Sequence, residues 1–291
     1  MKNPDISVVI LNFNTKDLTE ICIKKLSESD LGKYSMEIIV CDNASTDGSQ
    51  SAIKTEFKNI IFIQNGSNIG FAAGNNPGIK RAKGRYILLL NSDTEVSIDS
   101  ISTMIDFMDS HPHAGASTSR LVLPNGSMDP ACHRGFPAPW AAATYMLGLE
   151  KLFPHSKIFG EYHQGYKDVS VAHEVDSISG AFFMVRKEVI EKIGMLDEAY
   201  FMYAEDIDWA YRIKQAGWQI WFVPDVTVLH KKKQSGRDHV LRKRRVTTEI
   251  YFHTYNWLFF KKYYASRNVI VTLLINMFYT VRLYMLKTFS V

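Results

Sequence analysis

Cysteine is scarce in this chain of 291 residues, and neither internal repeats nor low-complexity linkers are present. The three cysteines, Cys22, Cys41 and Cys132, are odd in number and show no CxxC or Cys/His metal spacing. This pattern disfavours a disulfide scaffold and indicates a reducing, cytoplasmic compartment. The first 14 residues contain one lysine ahead of a short apolar run that asparagine interrupts, so we expect no secretory signal peptide.

Acidic residues are nearly missing from the C-terminal fifth of the chain. Residues 231–291 carry 2 Asp and Glu against 13 Lys and Arg, whereas residues 1–230 carry 28 against 21. A segment of net charge +11 can bind nucleic acid, anionic lipid or an acidic partner. Its dense aromatic and aliphatic content excludes a solvated nucleic-acid-binding arm and favours a membrane surface.

The longest apolar run of this basic tail is short for a bilayer-spanning helix. Residues 269–281 give 13 residues before Arg282, whereas a spanning helix needs roughly 20. We therefore expect an interfacial pair of helices, with basic side chains such as the RKRR run at 242–245 towards anionic headgroups. The alternatives are a transmembrane helix that buries Arg282 and a homo-oligomer interface through the same region.

The rest of the chain alternates strand-like and helix-like segments. Its 46% hydrophobic content supports a substantial core. Strands that alternate with helices predict an α/β fold with a doubly wound sheet, in which ligands bind beyond the carboxyl ends of the strands. In the first half, we predict strands at 6–11, 37–42, 60–64 and 86–93 and helices at 15–29 and 98–109.

The second half is expected to continue the same sheet. Turn-forming residues make 116–175 typical of irregular structure. Beyond it we predict strands at 181–186 and 219–230 and helices at 187–193 and 205–216, the last ended by Gly217.

Polar residues follow three of the predicted strands, at the points where these strands end. They are Asn12-Phe13-Asn14, Asp42-Asn43 and Asn91-Ser92-Asp93. Each alone is equally typical of a turn or a helix cap. Because parallel strands end at one edge of a sheet, the three together favour a polar cleft there.

Four motifs in this order carry a resemblance to a known family. They are CDNASTDGS (41–49), NIGFAAGNN (68–76), LLLNSDTEV (88–96) and the long segment 180–218 that contains MYAEDIDWAYR. Together they resemble family 2 glycosyltransferases, most of all the bacterial rhamnosyltransferases of O-antigen and cell-surface polysaccharide synthesis. The resemblance covers roughly residues 5–235.

The resemblance implies a GT-A fold, a Rossmann-like mixed sheet flanked by helices, with a C-terminal helical, membrane-associating extension. Residues 1–115 would form the nucleotide-sugar-binding half, residues 116–235 the acceptor-binding and catalytic half of the same domain, and residues 236–291 the basic, apolar helical region.

The resemblance also implies a set of donor-binding residues. Asp42 matches an acidic residue that accepts hydrogen bonds from the base or ribose, and Phe13 matches a base-stacking aromatic, although a core phenylalanine fits Phe13 nearly as well. Gly180 matches the narrow floor under the sugar. The full set is Asn12, Phe13, Asp42, Asn68, Gly70, Asn75, Asn76, Asn91, Ser92 and Gly180.

A diphosphate leaving group beside an acidic protein body calls for a divalent cation, Mg²⁺ or Mn²⁺. By resemblance the metal ligands are Asp93 and His230, although His230 beside three lysines is also typical of a surface histidine. The family's usual Asp-x-Asp is Asn91-Ser92-Asp93 here, which removes one formal charge.

Three carboxylates lie within four positions of the segment 202–212, where an acidic helix N-terminus would favour them through the helix dipole. In the family's Glu-Asp motif the Asp is the general base, here Asp206. Glu205 would hold the acceptor, or act as base if the register differs by one. Asp208 and Arg212, four residues apart, are predicted to pair on one helix face.

The predicted function is therefore inverting transfer of a sugar, for example rhamnose from dTDP-rhamnose, from a nucleotide-diphosphate donor to a polyprenyl-linked or polysaccharide acceptor. The enzyme would be peripheral on the cytoplasmic face of the cell membrane and would bind no nucleic acid. A sugar nucleotidyltransferase is less favoured, because no glycine-rich basic loop follows the first strand. A non-catalytic, membrane-recruited nucleotide-sugar sensor is the alternative outside enzymes.

Overall fold

A single mixed β-sheet forms the centre of the computed structural model, which describes residues 3–232 and 242–289. Side chains are described for 246–288 of the C-terminal segment, so the RKRR run at 242–245 lies outside the described side chains. The strands are β1 (Ile6–Asn12), β2 (Met36–Asp42), β3 (Ile61–Gln64), β4 (Tyr86–Asn91), β5 (Thr94–Val96), β6 (Ala114–Val122), β7 (His173–Val175), β8 (Phe182–Arg186) and β9 (Gln219–His230).

Helices cover the sheet and form the C-terminal region. They are α1 (Lys16–Ser27), α2 (Ser49–Glu56), α3 (Phe71–Arg81), α4 (Ser100–Ser110), α5 (Pro139–Met146), α6 (Leu149–Leu152), α7 (Lys187–Ile193), α8 (Glu205–Gln215), α9 (Arg242–Tyr263) and α10 (Val269–Phe289), with a short 3₁₀ helix at Pro130–Cys132.

The strand order is β3-β2-β1-β4-β8-β6-β9-β5, and β7 also pairs with β9. The first four strands are parallel, as the alternation of strands and helices predicts. β8 then runs antiparallel between β4 and β6, which makes the sheet mixed. This architecture confirms the predicted α/β fold of the GT-A type, and the first-half strands begin and end within about three residues of their predicted bounds.

The prediction of irregular structure over residues 116–175 is wrong where β6, α5, α6 and β7 lie. At its start, β6 lies between β8 and β9 in the sheet. Its sequence AGASTSRLV has no apolar run, and small hydroxyl-bearing residues are weak strand predictors. Burial among neighbouring strands compensates: Ser117, Thr118 and Ser119 are fully buried, and the Thr118 hydroxyl donates to the Phe182 carbonyl at 2.7 Å. This segment therefore forms a strand because of its long-range pairing with β8 and β9, and not because of its local sequence.

α9 and α10 pack together beside α8, and α10 is longer than the 13-residue apolar run. Of the described helices, α10 is the one long and apolar enough to cross a membrane, with a mean hydropathy of 1.7 over Val269–Thr288. Within this span the Arg282 guanidinium pairs with Glu249 of α9 at 3.3 Å, and its side chain is 40% exposed. The apolar side chains of α10 are mostly exposed, as membrane association requires.

Gly84 allows the segment before β4 to lie against the backbone of β1. A Cβ at this position would stand 2.5 Å from the Ser7 nitrogen and 2.7 Å from the Ile6 carbonyl carbon, neither of which can move without shifting β1. We expect Gly84→Ala to lower the free energy of unfolding by about 1–3 kcal/mol, measured by urea denaturation. Gly66→Ala, where a Cβ meets nothing within 4 Å, is the matched control and should change it little.

Candidate active site

A cavity of about 320 Å³ opens at the carboxyl ends of β1 and β4 and is closed on the other side by the start of α8 and by α9. Residues from all three polar strand ends line it, with Asn43 but not Asp42 contributed by the second. The predicted residues that line it are Phe13, Asn68, Gly70, Asn91, Ser92, Asp93, Gly180, Glu205, Asp206 and His230.

Asn12 and Asp42 lie beneath this cavity rather than in its wall. Both are fully buried, and the Asn12 amide donates to Asp42 Oδ1 at 2.6 Å. Asp42 Oδ2 accepts from the Ser45 backbone N–H at 2.9 Å and from Gln64 at 2.8 Å. A carboxylate so partnered fixes the ends of β1 and β2, and its part in donor binding stays a prediction.

Asn75 and Asn76 are also absent from the cavity wall, because the helical turns of α3 point them elsewhere. The Asn75 amide donates to the Phe71 carbonyl one turn back, at 2.9 Å. The Asn76 amide donates to the Leu196 carbonyl at 3.0 Å and to Glu198 at 2.7 Å. Asn76 therefore joins α3 to the segment 196–198, the Asn75 bond lies within α3, and neither side chain lines the cavity.

Gly70 brings the glycine-rich motif against the loop that precedes α8. Its φ of +89° is in the region that favours glycine, and a Cβ would stand 2.3 Å from the Phe201 carbonyl oxygen. That carbonyl accepts from the Phe71 N–H at 2.6 Å. Asn43, which the sequence analysis left without a role, holds the motif from the other side by donating to the Gly70 carbonyl at 3.0 Å.

Asp93 and His230 face each other at one end of the cavity, with His230 Nε2 3.4 Å from Asp93 Oδ1. Behind them Asp129, fully buried, contacts His230 Nδ1 at 2.9 Å and Lys232 Nζ at 2.7 Å. Burial alone would lower the pKa of His230, but hydrogen bonds to Asp129 and Asp93 outweigh it and raise the pKa to about 9.

A histidine held through one ring nitrogen by a carboxylate is the usual support of a metal-binding imidazole. Asp93 and His230 therefore fit a divalent cation as two protein ligands, with Asp129 fixing the orientation of the His230 ring. The described residues contain no group of three or more His, Cys, Asp or Glu side chains placed to bind a metal by themselves. Diphosphate oxygens and water would have to complete the coordination.

Two consecutive residues in left-handed conformation start α8. Tyr203 has φ +73° and Ala204 φ +66°, a conformation that costs non-glycine residues energy. Such strain clusters at functional sites because it fixes side chains that a relaxed turn would aim elsewhere. Here it turns Glu205 and Asp206 into the cavity wall at the first turn of the helix.

Asp206 lies against the floor of the cavity and forms an ion pair with Arg134. The Arg134 guanidinium donates to Asp206 Oδ2 at 2.8 Å, and the Gly180 backbone N–H approaches the same oxygen at 3.3 Å. Both charged side chains are largely buried. Arg134 Nε is buried without a hydrogen-bond partner among the described residues.

Glu205 has a different environment from its neighbour. Burial, and then the negative charge of Asp206, raise the pKa of Glu205 to about 8. Its Oε2 is buried and has no hydrogen-bond partner among the described residues. Asp206 is thus paired with a cation, whereas Glu205 is the carboxyl group that burial favours in the neutral form.

Asp208 is structural, as the sequence predicts. Arg212 Nε donates to Asp208 Oδ2 at 2.8 Å, which confirms the expected pair at four-residue spacing. Lys262 Nζ and the Tyr263 hydroxyl of α9 both donate to Asp208 Oδ1 at 2.7 Å. This fully buried carboxylate therefore joins α8 to α9.

Sequence reasoning missed Arg134 and Asp129, which support Asp206 and His230. Both lie in the segment that was predicted to be irregular, with no periodicity to mark them. The one signal in the sequence was that two charged residues flank Cys132, which is buried, in an otherwise weakly charged stretch. This signal does not indicate which residues Asp129 and Arg134 contact.

The mixed sheet, the strand-end cavity and the acid pair at its edge define a GT-A fold enzyme of the kind that transfers sugars from activated donors. The family model described as glycosyl transferase family 2 matches residues 7–194. The chain belongs to this family and is an enzyme, as the resemblance predicts.

Curated relatives agree with the rhamnosyltransferase-like resemblance. The N-acetylglucosaminyl-diphospho-decaprenol L-rhamnosyltransferase of Mycobacterium tuberculosis is 29% identical over 215 residues, covering 70% of this chain and 69% of that protein. Rhamnosyltransferase WbbL of Escherichia coli K12 is 24% identical over 272 residues, covering 90% and 96%.

Solved structures share the fold. The mannosyltransferase PcManGT of Pyrobaculum calidifontis, solved in complex with GDP-Man and Mn²⁺, matches 87% of this chain with a TM-score of 0.60 and 18% identity. This chain spans 64% of that protein, less than two thirds of its length.

The raised pKa of Glu205 predicts a pH-dependent stability. Between its usual pKa and about 8, the unfolded state releases the Glu205 proton while the native state retains it, so stability falls as pH rises through this range. We expect urea denaturation at pH 5 and pH 8 to show this. Relative to the wild type, the free energy of unfolding of Glu205→Gln should rise by about 1 kcal/mol per pH unit. Glu188→Gln, an exposed glutamate in the first turn of α7, is the matched control. Parallel pH profiles for Glu205→Gln and wild type would contradict the assignment.

Proposed function

We propose that this chain is an inverting glycosyltransferase that moves a sugar from a nucleoside diphosphate to a hydroxyl group of a lipid-linked saccharide. One observation carries the proposal: Asp206, beside Gly180, and the Asp93–His230 pair line the same cavity. The acceptor oxygen would attack the anomeric carbon while the bond to the diphosphate breaks, and Asp206 would take the hydroxyl proton.

The donor would extend from the strand ends towards α8. Phe13, 37% exposed in the cavity wall, is available to stack on the base, which favours this role over that of a core residue. Asn68, Gly70, Asn91 and Ser92 would bind ribose and phosphate groups. A divalent cation held by Asp93 and His230 would neutralise charge on the departing diphosphate.

Two buried atoms without partners suit a sugar. Arg134 Nε is a donor, Glu205 Oε2 belongs to a carboxyl group that can accept or, when protonated, donate, and both residues line the cavity with Asp206. A sugar hydroxyl can both donate and accept a hydrogen bond, so it would satisfy such a pair without introducing charge. This supports Glu205 as a residue that holds a substrate, with Asp206 as the base.

The relatives' names supply the substrate classes. Rhamnose as the transferred sugar is proposed from the two rhamnosyltransferases, and a polyprenyl diphosphate carrier from the name of the mycobacterial one. A membrane-seated C-terminal region suits such an acceptor, and the exposed apolar face of α10 supports a location on the inner face of the cytoplasmic membrane. A second copy packed on α10 is the competing explanation of that face.

Asp206→Asn tests the catalytic proposal. The amide keeps the size of the side chain but cannot accept the proton, so we expect kcat to fall about 10²–10⁴-fold while donor affinity changes little. The measurements are turnover of a panel of nucleotide-sugars onto a lipid-linked saccharide and donor-induced thermal stabilisation with Mn²⁺.

Asp225→Asn, an exposed aspartate in β9, is the matched control and should retain full activity. A product with retained anomeric configuration, or an active Asp206→Asn enzyme, would refute the proposed roles.

Asp129→Asn tests the proposed support of the metal-binding histidine. With the amide in place, His230 loses the anionic partner of its Nδ1, so the affinity for Mn²⁺ in the presence of a nucleoside diphosphate should fall about 10–100-fold. Isothermal titration of Mn²⁺ measures this directly. Asp99→Asn, at the start of α4, is the control, and equal affinities for all three proteins would exclude a role for Asp129.

A further inference from the structure

A second exposed apolar surface lies outside the C-terminal helices, on the segment from α5 to the loop after α6. We call the α5–α6 patch the six exposed side chains Trp140, Met146, Leu147, Leu152, Phe153 and Ile158. Leu147 and Leu152 are 74% and 70% exposed. Monomeric soluble proteins seldom leave so many large apolar side chains together in water, so the patch calls for a partner.

The patch is a built surface rather than a set of isolated residues. The Trp140 indole N–H donates to the Ile158 carbonyl at 2.8 Å, which joins its two ends. The rings of Trp140 and Phe153 both pack near Phe159, at centroid distances of 6.3 and 5.3 Å. These contacts fix the segment with its apolar side chains turned outwards.

The exposed charged side chains between Pro139 and Gly160 are both lysines, and the next charged residue, Glu161, is partly buried. Lys151 and Lys157 are exposed within it, whereas Glu150, the one acidic residue of segment 139–160, is buried. The Glu150 carboxylate accepts from the His163 backbone N–H at 2.9 Å and also contacts His163 Nδ1 at 3.0 Å, so it points away from solvent. Aromatic and aliphatic side chains between lysines match an anionic lipid headgroup layer.

The segment that leads into the patch packs on the same buried cluster as α10. Ala138, which precedes α5, and Ile275 of α10 pack against the same cluster of buried aromatics, which includes Phe259 and Phe260 of α9. The segment before the patch reaches the cavity through Arg134, and α9 reaches it through Phe252 and Asn256.

From these observations we propose that the α5–α6 patch is a second membrane-contacting surface, which inserts into the headgroup region of an anionic bilayer together with α10. The inference rests on the proposed work at a membrane surface and is independent of which sugar is transferred. It assigns a role to a segment that no catalytic function requires.

Site-specific labelling of the full chain tests the inference. The native cysteines are all buried, and burial raises the pKa of each thiol to about 12, so an introduced exposed cysteine will react selectively. An environment-sensitive fluorophore on Leu147→Cys should be quenched by nitroxide-labelled lipid in phosphatidylglycerol-containing vesicles. The same label on Ile98→Cys, an isoleucine 64% exposed at the start of α4, is the matched control and should not be quenched.

A label on Leu273→Cys of α10 separates the two proposals. Quenching at Leu273 without quenching at Leu147 overturns the inference and leaves the proposed function standing. The absence of quenching at both positions overturns the inference together with the proposed membrane location. Protection of the Leu147 label that grows with protein concentration in the absence of vesicles identifies a second copy as the partner and also overturns it.

Vesicle co-sedimentation provides the independent measurement. Leu147→Glu and Leu152→Glu should each weaken partitioning about 10-fold, because each removes an apolar side chain from the lipid contact. Ile98→Glu should partition as the wild type does. Unchanged partitioning of the combined Leu147→Glu and Leu152→Glu variant would overturn the inference.

Discussion

The antiparallel pairing of β8 with β4 decides where the two halves of this enzyme meet. Leu90 stands opposite Phe182, and the Asn91 N–H donates to the Ala181 carbonyl at 3.1 Å. Because the strands run in opposite directions, the start of β8 lies at the carboxyl end of β4. Gly180 is thereby set beside Ser92 and Asp93, and the chain that follows β8 can return α8 to the same edge of the sheet.

Once that edge is fixed, neighbouring carboxylates acquire different chemistry from their surroundings. Glu205 and Asp206 are adjacent in sequence and share a helix turn, yet Asp206 faces Arg134 and Gly180 while Glu205 is buried with one oxygen unpartnered. Two acids with separated environments are the usual way in which a site assigns separate roles to similar groups. The strained residues Tyr203 and Ala204 maintain this division by fixing the direction in which the helix begins.

Much of the fold follows from local patterns, because β1, β2 and β4 are continuous buried runs and α8 has an acidic start and a glycine end. The pairing of Asp208 with Arg212 also follows, since helix geometry alone sets it. What local patterns do not contain is the partner of an isolated residue. Arg134 reaches Asp206 across 72 positions and Asp129 reaches His230 across 101, and the strand β6 depends on neighbours that come much later in the chain. The position of Asn76 was likewise decided by α3 packing on the segment 196–198.

The buried Asp208 carboxylate connects the C-terminal region to α8. Lys262 and Tyr263 of α9 supply two of its hydrogen bonds. A displacement of α9 would therefore shift α8, whose first turn carries Asp206. A shortened chain ending after β9 would leave this carboxylate without the Lys262 and Tyr263 donors and would uncover the face of α8 on which α9 packs. The C-terminal helices therefore support α8, whose first turn carries Glu205 and Asp206, and removing them would be expected to disturb this part of the cavity wall.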